Sequence, residues 1–162
     1  MTNENLKFAL VGCGRIAKRH SDLLGNNQIT NSSLVAVCDT SEEKAKKIAS
    51  KFKITFYSDM HKMMQKEDID VVVILTESGY HAKHVIEMSR YGKHIIVEKP
   101  MALRLSDADS MIRACDTAGI KLFVVKQNRF NLPVVKLKEA LDEGRFGKLF
   151  LGNPKFIPCT PL

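Results

Sequence analysis

No apolar run in this sequence approaches the roughly 20 residues that a helix needs to cross a bilayer, so a membrane-spanning role is not expected. The opening MTNENLKFALVG reaches a glycine turn after only a few apolar side chains. It lacks the longer apolar region and cleavage site of a secretory signal, which makes a cytoplasmic location the expectation. The four cysteines, Cys13, Cys38, Cys115 and Cys159, contain no CxxC pair. That scatter argues against a zinc site or a disulfide framework and fits free thiols in a reducing compartment. His81 and His84 stand three apart on a helical stretch, but no carboxylate or cysteine at matching spacing completes a ligand set, so no metal is expected. His84 is read as ordinary helix surface, and His20, His61 and His94, which belong to no constellation, as structural or solvent-facing. There is no internal repeat and no low-complexity linker.

The charge balance is one-sided, with a formal net charge of +7. The basic residues are nevertheless spread along the chain and mixed with acids, as in SEEKAKKIASKFK, so a nucleic-acid partner is not expected. Part of the excess suits an anionic ligand such as a pyrophosphate.

With 162 residues and 44% hydrophobic side chains, the chain suffices for one well-buried domain. Strand-like and helix-like segments alternate from the start, the pattern of a parallel sheet covered by helices on both faces. Leu6 to Val11 is a continuous apolar run ending in glycine, as a central parallel strand should be. A helix from Arg15 to Leu24 follows it. Leu34 to Cys38 is a second strand, after which Ser41 is placed to cap a helix bearing Glu42/Lys46 and Glu43/Lys47 one turn apart. Thr55 to Tyr57 reads as a short edge strand, and Met60, Met63 and Met64 as packing residues of the next helix. Val71 to Leu75 is the strongest strand. A helix from Tyr80 to Tyr91, a strand from His94 to Val97, a helix opened by Ser106 with Asp109 as a capping-box variant, and a strand from Lys121 to Val125 complete six strands. Pro133 fits the first turn of a further helix running to Glu143, and Phe146 to Leu151 is expected to begin another strand. The segment GNPKFIPCTPL has three prolines in eleven residues, which cannot sustain a ladder of backbone hydrogen bonds. The domain is therefore drawn as residues 1–151, with 152–162 as a proline-rich tail.

Gly12-Cys13-Gly14-Arg15-Ile16-Ala17 is a GxGxxA loop between the first strand and the first helix. The first glycine permits a tight turn, the second lets backbone approach a pyrophosphate, and Ala17 allows helix and strand to pack closely. The helix amides at Arg15 and Ile16 then face the phosphates. Asp39 ends the second strand 22 residues after Ala17, where a carboxylate accepts hydrogen bonds from the adenine ribose hydroxyls. Thr40 and Ser41 follow it with no arginine to meet a 2′-phosphate, so NAD is favoured over NADP. Cys13 beside a helix N-terminus is a site for some thiolate character, though a redox role is not expected.

With GCGRIAKRH at Gly12 to His20 and Glu98-Lys99-Pro100 after the fifth strand, the chain resembles the glucose-fructose oxidoreductase/inositol dehydrogenase (Gfo/Idh/MocA) family over residues 6 to 151. The segment TESGYHAKH, Thr76 to His84, is similar to the family's loop beside the cofactor, with Glu77 where most members carry proline. Gln127-Asn128-Arg129-Phe130-Asn131 resembles the subgroup that oxidises UDP-N-acetylglucosaminuronic acid at its 3-hydroxyl in bacterial surface-polysaccharide synthesis. The resemblance implies an α/β Rossmann domain, NAD as cofactor, and Lys99 near the nicotinamide ribose and the reacting hydroxyl. It also implies cofactor contacts from Thr76, His81, Glu98 and Gln127, and substrate or cofactor contacts from Arg129 and Asn131. Family members carry a second domain that supplies the substrate pocket, and the resemblance stops where it would begin. A nucleotide-sugar partner is therefore expected only with that domain, and turnover by this chain alone is not. Self-association through an uncovered apolar surface is a further expectation. A non-catalytic NAD-binding module and an inactive remnant remain the alternatives.

Overall fold

The computed structural model describes residues 5–152. They form two compact units, one ending at Val125 and the other beginning at Lys126.

The first unit is built on six parallel strands: β1 (Leu6–Val11), β2 (Ser32–Cys38), β3 (Thr55–Tyr57), β4 (Val71–Ile74), β5 (His94–Val97) and β6 (Leu122–Val124), in the order β3-β2-β1-β4-β5-β6. Between them run α1 (Arg15–Gly25), α2 (Glu42–Phe52), α3 (Met60–Lys66), α4 (His81–Ser89) and α5 (Leu105–Thr117). Because successive strand side chains point to opposite faces, the apolar residues divide into two core layers. Ala9, Val11, Val72 and Ile74 pack with Met63 of α3, Val85 and Met88 of α4, and Met111 of α5. Leu10, Val37 and Val73 pack with Ala17 and Leu24 of α1 and with Ala45 and Ala49 of α2. The chain steps outward from β1 to β3 with helices on one face, then crosses to β4 and steps the other way with helices on the opposite face. That reversal lies between β1 and β4.

β1 and β4 run in register from Phe8 opposite Val71 to Val11 opposite Ile74, and the ladder continues as the Leu75 amide donates to the Val11 carbonyl at 2.7 Å. The next residue of β1, Gly12, lies against this end of β4 with φ +100°. A Cβ there would stand 2.7 Å from the Leu75 carbonyl carbon and 2.8 Å from the Thr76 nitrogen. Both the dihedral and the space admit only glycine.

Several expected boundaries shift. Ser41 precedes α2 at the N-cap position, but its side chain makes no capping hydrogen bond. The Ser41 backbone amide donates to the Asp39 carboxylate. α5 begins at Leu105, so Ser106 lies inside the first turn and the capping box with Asp109 is not made. Asp59, by contrast, caps α3 and accepts from the His61 and Lys62 amides, which holds its carboxyl below the usual carboxylate range. The methionine-rich helix packs as expected, with Met63 and Met64 buried.

The second unit contains a short 3₁₀ turn (Gln127–Phe130) and α6 (Leu132–Asp142), with Pro133 in its first turn. The strand expected at Phe146 to Leu151 does not form. Gly144 and Gly147 take left-handed dihedrals there, and Phe146, Leu149, Phe150 and Leu151 are exposed in turns and bends that pair with no other strand among the described residues. The proposed 152–162 tail lies outside the described residues, save Gly152. No described helix is long and apolar enough to cross a membrane.

Cys13, Cys38 and Cys115 are free and buried. Burial, with the Asp39 charge adding to it, pushes the Cys13 thiol up to about 12, and burial likewise pushes Cys38 up to about 12. The loop therefore holds a protonated thiol, which corrects the expectation of thiolate character at the helix N-terminus.

Two outcomes follow for stability and reactivity. Gly12→Ala should destabilise the fold by about 2 kcal/mol or more, through the forbidden dihedral and the clash with β4, as read from urea denaturation. Iodoacetamide at pH 8 should leave Cys13, Cys38 and Cys115 unmodified in the folded chain and alkylate all three in denaturant, as followed by peptide mass spectrometry.

Candidate functional site

The carboxyl ends of β1, β2, β4 and β5 meet at the point where strand order reverses, the place in an open α/β sheet where a crevice forms. β1 supplies the glycine loop. The Gly12 amide donates to the Cys38 carbonyl at 2.8 Å, tying the loop to the end of β2. Gly14 is the N-cap of α1, with φ −75° and no side-chain cap. A Cβ at Gly14 would meet nothing within 4 Å. No protein neighbour and no dihedral requires glycine at this position, so the missing side chain leaves open space directly over the amide end of α1. The first turn of α1 contains no acidic residue, and Arg15 and Ile16 are exposed there. Ala17 is fully buried in the layer beneath, which lets α1 approach the sheet closely.

Asp39, at the end of β2, is half-buried. One carboxylate oxygen accepts from the Cys13 amide at 2.7 Å and the other from the Ser41 amide at 2.8 Å. An ionised carboxylate offers about four lone-pair sites, so two remain for hydroxyl donors. Asp39 therefore joins the glycine loop to the turn after β2 and keeps acceptor capacity facing the crevice. An open amide end of a helix beside a fixed carboxylate fits the pyrophosphate and the adenine ribose of a dinucleotide.

On the other side of the reversal, the turns after β4 and β5 meet at His81. Its ring is 1% exposed, with Nδ1 2.8 Å from the Pro100 carbonyl and Nε2 2.9 Å from the Thr76 carbonyl. Thr76 is held a second time, its hydroxyl lying 3.0 Å from Nδ1 of His84. His84 is half-buried and stacked on Tyr80, and burial lowers its pKa. It is not the plain helix-surface residue that the sequence suggested. Glu98 is 6% exposed. One of its oxygens lies 2.9 Å from Nε2 of His20 and the other accepts from the Lys99 amide at 3.0 Å. Lys99 itself is exposed and precedes a cis peptide bond to Pro100.

The structure thus gathers Gly12, Gly14, Arg15, Ile16 and Asp39 on one side of the crevice, and Thr76, His81, Glu98 and Lys99 on the other. Gln127, Arg129 and Asn131 belong to the second unit. There Gln127 and Arg129 lie in the 3₁₀ turn and Asn131 is the N-cap of α6, all three exposed. Asn131 donates from its side-chain amide to Asn128 at 3.4 Å. Sequence reasoning missed His20, whose partner lies 78 residues away, a separation that no local pattern signals. His61, read as structural or solvent-facing, is half-buried with its Nδ1 2.9 Å from the Tyr91 hydroxyl. A groove of about 510 Å³ lies between α5 and β6, lined by Met101, Ile112 and Phe123 among others. It shares no residue with the crevice and is mostly apolar.

Comparison with known proteins agrees with this geometry. The profile of the oxidoreductase family with an NAD-binding Rossmann fold matches residues 6–126. The chain is 31% identical over 144 residues to myo-inositol 2-dehydrogenase of Thermotoga maritima, covering 88% of this chain and 42% of that protein. It is 33% identical over 156 residues to D-apiose dehydrogenase of Paraburkholderia graminis, covering 96% of this chain and 41% of that one. Among solved structures, the WlbA dehydrogenase of Bordetella pertussis, determined in complex with NADH and UDP-GlcNAcA, aligns with a TM-score of 0.83 at 39% identity over 89% of this chain and 44% of that chain. The chain therefore spans less than half the length of these relatives. With the profile running from β1 to just past β6, and with a loop whose glycines are explained by backbone packing at one position and by open space at the other, the chain belongs to the Gfo/Idh/MocA family of NAD-binding Rossmann oxidoreductases.

Proposed function

We propose that this chain is the NAD(H)-binding part of a dehydrogenase that oxidises a sugar hydroxyl, and that the sugar is a nucleotide-linked uronic acid such as UDP-N-acetylglucosaminuronate. The observation that carries the cofactor assignment is Gly14, where a side chain would meet no protein atom and would stand over the uncapped amide end of α1. The α1 amides hold the pyrophosphate, and Asp39 accepts from the adenine ribose hydroxyls. The same carboxylate disfavours NADP, since a 2′-phosphate would meet its charge with Thr40 and Ser41 in place of a cation.

When bound, NAD supplies the hydride acceptor. Lys99, exposed at the tip of its turn, stands at the reacting hydroxyl, where its ammonium group favours the alkoxide-like state and helps proton transfer. Thr76, His81 and Glu98 form the cofactor side of that end, and the family resemblance alone assigns Gln127 to the cofactor and Arg129 and Asn131 to substrate or cofactor. The nucleotide-sugar reading is supported by the 39% identity to a dehydrogenase solved with UDP-GlcNAcA. The curated relatives named for myo-inositol and D-apiose favour a second reading, a free polyol or sugar. Either substrate needs walls on both sides of the nicotinamide to hold the reacting carbon at about 3 to 3.5 Å. We accordingly propose a Rossmann domain over residues 1–151, with the substrate contacts supplied by further chain. A non-catalytic NAD-sensing module differs in its readout, since it would change partner affinity with NADH rather than gain turnover when a substrate domain is supplied. A cytoplasmic setting fits the three buried, unpaired thiols.

The test is a titration of the purified chain with NADH and with NADPH, followed by nicotinamide fluorescence and melting temperature. NADH should bind saturably and at least about tenfold more tightly than NADPH, a difference of about 1.4 kcal/mol. Absence of binding to either would contradict the proposal. Gly14→Ser should hold or raise the melting temperature, because serine is a favoured N-cap and meets no obstruction. The same substitution should weaken NADH by about tenfold or more, because its hydroxyl takes amide donors that the phosphates need.

A further inference from the structure

Glu98 presents a physical problem that its neighbours resolve. A carboxylate only 6% exposed is costly unless each oxygen is engaged. Within the Lys99 turn one donor is available, the Lys99 amide on one oxygen at 3.0 Å. The other oxygen depends on a residue from elsewhere, and Nε2 of His20 lies 2.9 Å from it. A carboxylate oxygen can only accept, so the ring nitrogen facing it carries the hydrogen and donates.

The placement of His20 gives the contact its meaning. It lies on α1, the helix whose first turn faces the proposed phosphate site, one turn beyond the buried Ala17. α1 therefore fixes two things at once: its amide end at the glycine loop and, through His20 and Glu98, the backbone of Lys99. On the far side of the same turn, His81 holds the Pro100 carbonyl at 2.8 Å. The Lys99 side chain is left exposed on a backbone gripped before and after it.

We infer that His20 is a positioning residue for Lys99, acting through the buried Glu98 carboxylate, so that the helix that binds the cofactor phosphates also sets where the lysine ammonium stands. The inference rests on the assignment of Lys99 to the nicotinamide end of the site. Without the imidazole, one Glu98 oxygen is left buried and without its donor. The carboxylate then turns to solvent, its bond to the Lys99 amide is lost, and the lysine no longer holds its place over the bound cofactor. The phosphate loop, which contacts neither Glu98 nor His20 by hydrogen bond, keeps its geometry.

The test separates position from binding. Lysine acetylation by an N-hydroxysuccinimide ester is followed at each lysine by mass spectrometry, with and without saturating NADH, in the wild-type chain, His20→Ala and His20→Gln. Lys62, on α3, serves as an internal reference, and melting temperatures establish that each variant is folded. In the wild type, NADH should protect Lys99 by about tenfold and leave Lys62 unchanged. His20→Ala should still bind NADH, with affinity within about threefold of wild type, and lose most of that protection. His20→Gln, whose side-chain amide can donate to Glu98, should regain it. Equal protection of Lys99 in His20→Ala and wild type would overturn the inference while leaving the cofactor site intact, and so would a folded His20→Gln that fails to restore it. NADH binding to wild type without protection of Lys99, or no binding at all, would remove the assignment of Lys99 and the inference with it.

Discussion

At the end of β1 the backbone must pass between two neighbouring strands with no room for a side chain. Gly12 meets β4 so closely that a Cβ would lie 2.7 Å from the Leu75 carbonyl carbon, and its amide is bound to the end of β2. Everything at the carboxyl edge of the sheet is positioned from this contact. The chain turns in a left-handed conformation, α1 begins three residues later, and the Cys13 amide is delivered to Asp39. Since the sheet reverses its winding beside this point, the loops on its two sides part and the crevice opens between them.

The residues around the crevice divide by burial into a frame and a set of exposed groups. His81, Glu98 and His20 turn polar atoms to other parts of the protein, Asp39 does so with two of its lone pairs and keeps the others, and these contacts join turns that the sheet alone would leave independent. Gly14, Arg15, Ile16 and Lys99 are exposed at the crevice. Buried, fully engaged polar groups are costly to disturb, and exposed groups on such a frame are held in place without packing of their own. Glu98 shows the distinction most clearly, since both of its oxygens are engaged within the protein and its contribution passes through the Lys99 backbone.

Much of this was legible in the sequence because it is local. Continuous apolar runs such as Val71 to Ile74 identify strands buried on both faces, and Gly12, Gly14 and Ala17 declare their roles by spacing. The contacts that complete the site are not local. His20 meets Glu98 across 78 residues, and Asp39 reaches back 26 residues to the Cys13 amide. Capping proved hard to read at both Ser41 and Ser106: Ser41 stands at the N-cap position without a side-chain bond, and the N-cap of α5 is Arg104, two residues before Ser106. Phe146 to Leu151 failed for a different reason. A strand needs a partner, and apolar composition alone does not supply one.

The central claim is that the crevice is preformed for a dinucleotide: phosphates over Gly14, adenine ribose on Asp39, and the nicotinamide end toward Lys99. A crystal structure of the chain grown with NADH tests it most directly. The account predicts the pyrophosphate at the amide end of α1 and the ribose hydroxyls on the free lone pairs of Asp39, with its bonds to the Cys13 and Ser41 amides unbroken. A dinucleotide bound elsewhere, or an Asp39 that must release the Cys13 amide to receive the ribose, would contradict it.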